Sequence, residues 1–319
     1  MKESREISWK NFGKRIRFYA PSFTPYENTY LSSSITTFPS ISITGNSCAL
    51  RCKHCGGKVL STMIPATTPN ALFNTCEKLS KSDCTGCLIS GGCLPDGSVP
   101  FERFLSTIKR IKKEFNFKII VHTGIIDVKQ AKDLKDAGVD AALIDIIGSE
   151  DTIREIYNLN IHLGDYDRSL KALQNSGISF VPHIIVGLHY GKLRGELNAL
   201  EMISKYKPDA LVVIALIPIK GTPMGNCDSP SPEDIAKILS AAKKILPSVP
   251  TALGCMRPTK KLRVRTDMLA VEGGVNAIAF PEKEAIELAE SMGLKVEFSN
   301  KCCSQIYEDI ISRKLSTTV

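Results

Sequence analysis

The sequence predicts an α/β fold, a (β/α) barrel that is complete or partly open, and three observations carry that expectation. Short apolar runs alternate with amphipathic segments, one unit roughly every thirty to forty residues, which is the βα repeat of a parallel sheet. Eight apolar runs of strand length are present, as many as a closed barrel needs. Glycine, cysteine and polar residues follow the ends of those runs, and a barrel places its chemistry at the C-terminal ends of its strands.

Residues 1–38 read as an N-terminal extension, with Trp9, Phe12, Ile16 and Phe18 as the face that docks on the body. The strands are expected at 39–44, 86–90, 118–122, 141–147, 180–186, 210–217, 250–253 and 277–280. A cysteine-rich loop follows the first, Gly91-Gly92-Cys93 the second, Gly187 the fifth and Gly254-Cys255 the seventh. Helices are expected at 99–115, 128–137, 166–176, 194–206, 235–246 and 282–292. Their punctuation is local: Gly138, Gly177 and Gly293 stop three of them. Ser231-Pro232-Glu233-Asp234 opens another with an N-cap hydroxyl, an N1 proline and first-turn acids. The barrel would span 39–298, and a tail at 299–319 would fold over its mouth.

Composition narrows the class. The chain has 319 residues, 43% of them apolar, enough for a large core in one or two domains. No run of eighteen apolar residues is present, so no membrane span is expected. Residues 1–18 are polar and basic with no apolar signal-peptide core, so the expected location is cytoplasmic. In a reducing compartment, eleven cysteines point to metal or redox work rather than disulfides. The net charge of +8 is scattered, and no basic run is interleaved with stacking aromatics. That pattern argues against a nucleic-acid partner and is compatible with an acidic carrier protein.

The most informative residues are Cys48, Cys52 and Cys55, spaced C-x3-C-x2-C just after the first strand. Three thiolates on a short loop can hold three irons of a [4Fe–4S] cluster. Such clusters usually take four thiolates, so the open fourth iron marks a cofactor or substrate site. Two plainer readings compete. Zinc wants four ligands and often a C-x2-C pair, which leaves the C-x3-C spacing unexplained. A disulfide framework does not suit a chain of this length without a secretory signal.

This loop, with His54 before its last cysteine, resembles the radical S-adenosylmethionine (SAM) superfamily. The resemblance implies a [4Fe–4S] cluster whose open iron chelates SAM. Electron transfer then yields a 5′-deoxyadenosyl radical that abstracts hydrogen from substrate. Ser90-Gly91-Gly92 resembles the start of a G-G-E-type motif that meets the SAM amino group, with Cys93 in place of the acid. Val186 and Gly187 lie in a stretch similar to the one beside adenine, and 216–218 resembles the wall that covers it. Asp145 reads equally as a partner of the SAM ribose or as an acid capping the next turn. His122 and His183 read as substrate-orienting or as satisfied polar residues, and Arg257 as a carboxylate holder.

The other cysteines form a candidate auxiliary cluster. Cys93 and Cys255 follow strands, and Cys302 and Cys303 lie in the tail, so a tail over the mouth gathers four thiols. Cys76, Cys84 and Cys87 are a rival set, placed at the wrong end of a strand for chemistry. Any one of these thiols also reads as small apolar core. Cys227 has no evident partner.

Beyond the superfamily, stretches 44–55, 88–100, 181–191, 216–224, 254–258 and 301–304 resemble archaeal radical SAM proteins related to biotin synthase and lipoyl synthase. That group includes the two-subunit archaeal lipoyl synthase. The resemblance implies sulfur insertion into an octanoyl chain on a lipoyl-carrier protein. It also implies a second radical SAM subunit, an electron donor such as ferredoxin, and a second iron–sulfur cluster as sulfur source. No thiol precedes Cys48, so the auxiliary ligands of single-chain lipoyl synthases have no counterpart here. The alternatives are another radical SAM reaction, a methylation or rearrangement of a small metabolite, or a non-enzymatic iron–sulfur carrier. No residue is assigned a catalytic role from the sequence.

Overall fold

The computed structural model describes residues 1–22 and 25–310. Its elements in chain order are α1 (Lys2–Phe12), β1 (Arg15–Tyr19), β2 (Ser40–Ser42), β3 (Ile64–Pro65), α2 (Pro69–Leu79), β4 (Gly86–Ser90) and α3 (Leu105–Phe115). Next come β5 (Lys118–His122), α4 (Val128–Asp136), β6 (Ala141–Asp145), α5 (Glu150–Ile156), α6 (Leu163–Ser176), β7 (Ser179–Val186), α7 (Glu196–Ser204) and β8 (Leu211–Ala215). The chain continues through α8 (Pro232–Ile245), β9 (Thr251–Leu253), α9 (Lys261–Glu272), β10 (Ala277–Ala279), α10 (Lys283–Ser291) and β11 (Lys295–Ser299).

The eleven strands form one parallel sheet in the order β11-β1-β10-β9-β8-β7-β6-β5-β4-β2-β3. Its two ends, β3 and β11, are edges, so the sheet curls as a half-barrel, the partly open form of the expected architecture. All eight runs expected to be strands are strands: β2 and β4 to β10. The edges are blunted in the usual ways. β3 is two residues long and ends in Pro65, and β11 carries Lys295 and Glu297.

Side chains alternate along each strand, and two apolar layers result. The outer layer joins Ile41, Ile89, Val121 and Ile144 to helix residues such as Leu72, Ile108, Leu134 and Leu170. The inner layer is built from Tyr19, Ile120, Leu143, Val181, Val212 and a row of alanines at 141, 252, 277 and 279. Local signals set the helix ends as expected. Ser231 Oγ accepts from the Asp234 amide at 3.1 Å, and Gly177 ends α6 at φ 69°.

Two expectations change. Residues 1–38 are more than an extension, because β1 pairs with both β10 and β11. Ile16 and Phe18 are strand residues of the core, while α1 packs through Ser4 and Ser8. Small side chains are needed there, since a Cβ on Gly274 would stand 2.7 Å from the Arg5 Cα. The tail also differs. It starts at the mouth and then turns inward, with Cys303, Ile306 and Tyr307 in the inner layer. Glu308 reaches Lys118 at the start of β5 at 2.9 Å, and Asp309 accepts from Tyr19 Oη at 2.6 Å. The row of alanines leaves space that this segment fills, so residues 302–310 plug the barrel where a lid was expected. Residues 311–319 lie outside the described residues.

Arg257 holds no open carboxylate site. It is fully buried, paired with Asp267 of α9 at 2.7 and 2.8 Å, and it donates to the carbonyls of Gly254, Ala279 and Phe280. One guanidinium thus straps the ends of β9 and β10 to α9. Breaking a buried pair from one side costs about 3–5 kcal/mol, because the other charge is left uncompensated. Asp267→Ala should lower the denaturant-derived unfolding free energy by about that amount. The paired change Arg257→Met with Asp267→Leu should recover most of the loss. Equal losses in the single and paired variants would contradict the strap.

Candidate cluster and cofactor site

The cysteine loop leaves β2 through a tight turn in which Ser42 Oγ donates to the Gly45 carbonyl at 2.7 Å. Arg51, Gly56 and Gly57 have φ values of 44°, 54° and 79°, and these left-handed residues fold the loop back on itself. Two other segments hold it. The Lys53 amide donates to the Ile156 carbonyl at 2.8 Å, Asn158 Nδ2 to the Leu50 carbonyl at 3.1 Å, and the Met224 amide to the Lys53 carbonyl at 3.2 Å. Ile156, Asn158 and Met224 carry no chemical signature, so sequence reasoning had no signal for them.

Cys52 and Cys55 are buried and Cys48 half-buried, all three as free thiols. Donor atoms of Cys52, His54 and Cys55 lie within 4.8 Å of one another. Cys48 lies near enough for its charge to act on Cys52, so the loop turns its three thiols toward one neighbourhood. Hydrogen bonding from Cys93 holds the Cys48 thiol well below its ordinary pKa, against a burial penalty. A hydrogen bond from Cys52, aided by His54, does the same for Cys55. These two shifts favour the thiolates that iron requires, whereas Cys52, the donor to Cys55, is pushed up. His54 packs against Tyr157 with ring centres 5.2 Å apart, and its Nδ1 is buried without a hydrogen-bond partner.

The Gly91-Gly92 turn at the end of β4 serves this loop directly. A Cβ on Gly92 would stand 2.0 Å from the Ser47 carbonyl oxygen and 2.5 Å from the Cys48 Cβ, and one on Gly91 2.9 Å from Thr44. The Gly92 amide donates to Thr44 Oγ1 at 2.7 Å, and the Ala49 amide to the Cys93 carbonyl at 2.8 Å. These glycines are required because two backbones meet there. Ser90 turns its hydroxyl to the His122 carbonyl at 3.1 Å.

The other expected residues sort by strand. The Gly187 amide donates to buried Glu196 at 2.8 Å, and the turn is left-handed at φ 72°. Val186, fully buried at the end of β7, lies in the outer layer. Asp145 does not cap the next helix, since Ser149 does that. Its Oδ1 stands 3.4 Å from His122 Nε2, and the His122 and His183 rings lie 5.6 Å apart. Burial lowers the His122 pKa, but the charge and hydrogen bonding of Asp145, with the Cys302 charge, together outweigh it and the net shift is upward. Burial, reinforced by His122, pushes His183 down to about 4, so it is neutral at pH 7.

Of the four thiols expected to act together, the structure sets Cys93 apart. It hydrogen-bonds to Cys48 and belongs to the loop, because the Gly-Gly turn delivers it there. Cys255, Cys302 and Cys303 interact with one another, with a Cys303 hydrogen bond holding Cys302 low and burial pushing Cys255 up to about 11. Cys76 and Cys87, both fully buried, hydrogen-bond to each other between α2 and β4, at the far end of the strand.

Comparison with known proteins bears on this loop. The radical SAM superfamily model matches residues 42–192, the stretch that contains the thiols, the Gly-Gly turn, Asp145 and Gly187. Residues 42–192 are a radical SAM domain. The domain's cofactors are a [4Fe–4S] cluster and SAM, which the loop's three free thiols fit. Among curated proteins, the mitochondrial biotin synthase of Emericella nidulans is 28% identical over 265 residues, covering 79% of this chain and 65% of that protein. Biotin synthase of Leptospira interrogans is 27% identical over 161 residues, covering 50% of this chain and 45% of its own length. The chain thus spans less than two thirds of either. Among solved structures, methylornithine synthase superposes with TM-score 0.61 at 15% identity, covering 96% of this chain and 89% of that one. The [FeFe]-hydrogenase maturase HydG from Carboxydothermus hydrogenoformans gives 0.63 at 17% identity, covering 92% and 70%. At those identities the likeness is one of fold. The described residues contain no helix long and apolar enough to cross a membrane.

The close approach at Gly92 gives a direct test. Gly92→Ala should displace the radical SAM loop and strip most of its iron, measured after anaerobic reconstitution. Gly164→Ala, whose methyl meets only Arg168 Nη1 at 3.5 Å, is the matched control and should keep its iron. Full iron in Gly92→Ala would refute the packing role.

Proposed function

We propose that this protein is a radical SAM enzyme that inserts sulfur into a protein-bound octanoyl chain, as one subunit of a two-subunit lipoyl synthase of the archaeal type. One observation carries the reading. Besides the loop thiols, Cys255 stands near enough to Cys302 and Cys303, inside the same half-barrel, for their charges to act on one another. A single SAM-cleaving cluster leaves that second group without a task, whereas sulfur insertion needs a sulfur source close to the reacting carbon. The resemblance to biotin synthases, named for a product that contains sulfur, supports the same class of chemistry.

Bound at the loop, the cluster and SAM together supply a radical able to take hydrogen from an unactivated carbon. The chain's own residues do the rest. Cys48, Cys52 and Cys55 hold three irons, and the burial of Cys52 and Cys55 keeps water from that side. Gly91 and Gly92 fix the loop against β4. Ile306 and Tyr307 fill the interior, which confines the reaction to the mouth and suits a thin acyl chain presented by a carrier. Cys255, Cys302 and Cys303 would hold the second cluster, which would supply the sulfur. A lipoyl-carrier protein, a partner radical SAM subunit and a donor such as ferredoxin complete the system.

Iron and sulfide content of the anaerobically reconstituted protein tests the reading. The parent should carry about eight irons, and the Cys48→Ala/Cys52→Ala/Cys55→Ala variant about four. Cys302→Ala should abolish the sulfur-dependent mass gain of an octanoyl-carrier substrate while SAM cleavage continues. About four irons in the parent and none in the triple variant would defeat sulfur insertion, leaving another radical reaction on a small metabolite.

A further inference from the structure

Three neighbouring strands each turn one donor side chain into the barrel near its mouth. They are His122 of β5, Asp145 of β6 and His183 of β7, and Asp145 and His183 are register partners across the β6–β7 ladder. One donor atom from each lies within 4.8 Å of the other two. We propose that His122, Asp145 and His183 bind a single transition-metal ion of the zinc or ferrous class, separate from the cluster held by Cys48, Cys52 and Cys55.

Three features of the geometry support an ion over a plain charge pair. The first is spacing. Two ligands about 2.1 Å from one ion at the tetrahedral angle stand about 3.4 Å apart. His122 Nε2 and Asp145 Oδ1 are 3.4 Å apart, which is long for a charge-assisted hydrogen bond. The second is satisfaction. Asp145 Oδ1 is buried and has no partner at ordinary hydrogen-bond geometry, its one neighbour being that long contact with His122. The third is tautomer. His183 Nδ1 lies 3.1 Å from the Val181 carbonyl, which can only accept, so Nδ1 carries the proton and Nε2 presents its lone pair. A ring nitrogen donating to a backbone carbonyl is the usual support of a metal-bound histidine.

Two imidazoles and one carboxylate suit zinc or ferrous iron better than magnesium or calcium, which prefer all-oxygen shells. Three protein ligands leave a position open, as in catalytic rather than structural sites. Cys302 lies close enough to His122 for the charge of each to act on the other, so the open position has a thiol nearby. The ion does not require the second iron–sulfur cluster, and it is tested in the absence of sulfide.

The experiment uses the full chain carrying Cys48→Ala/Cys52→Ala/Cys55→Ala, stripped by chelator and titrated with Co2+. One Co2+ per chain with tetrahedral d–d absorption, displaced by Zn2+, is the expected result. Adding His122→Ala and His183→Ala should weaken cobalt binding by more than about a hundredfold. If the cysteine variant does not fold, judged by circular dichroism, the same titration is read as a difference spectrum on the wild-type protein with its cluster in place. Absence of bound cobalt, or cobalt bound equally by the histidine variant, overturns the proposal. Asp145→Asn offers a separate arm. Weakened cobalt binding supports the site, whereas unchanged cobalt with weakened SAM binding assigns the carboxylate to SAM and overturns it.

Discussion

Every strand of the sheet runs in one direction, and that parallel register is what the site depends on. It brings the C-terminal ends of β2, β4, β5, β6 and β7 to one rim, so that residues far apart in sequence share a small volume. Alternation then decides which of them face inward. His122, Asp145 and His183 fall on the same parity as Ile120, Leu143 and Val181, the inner layer, and so enter the barrel. A shift of one residue in any of these ladders would turn its polar side chain out among the helices.

An open parallel sheet has an inner face that must be covered, since parallel sheets are stable only when buried on both sides. Here the chain covers its own. The alanines at 141, 252, 277 and 279 leave room, and the segment from Cys302 to Asp309 occupies it. The same segment is tied at its lower end to Lys118, Arg17 and Tyr19. Structural and chemical roles are therefore coupled. The peptide that completes the core also brings Cys302 near enough to Cys255 and His122 for its charge to act on both.

Much of this was legible in the sequence. The eight central strands were readable because each is a short apolar run bounded by glycine, proline or polar residues, and these boundaries are set locally. The loop of Cys48, Cys52 and Cys55 was readable for the same reason, as was the Gly-Gly turn. The misses have physical causes. The buried face of α9 carries Asp267, the partner of Arg257, which interrupts its apolar stripe. The buried face of α1 is serine, chosen for close approach rather than hydrophobicity. β1 lies among residues that read as an extension because its pairing partners, β10 and β11, are some 260 to 280 residues away.

The sequence by itself determined the alternation that makes a parallel half-barrel and the three-thiol loop that accepts a cluster. Both rest on contacts within a few residues. Only the tertiary structure decided that the tail enters the barrel and that two histidines and a carboxylate meet near its mouth. Each depends on distances between strands, and those follow from pairing order and sheet curvature, which no local spacing encodes.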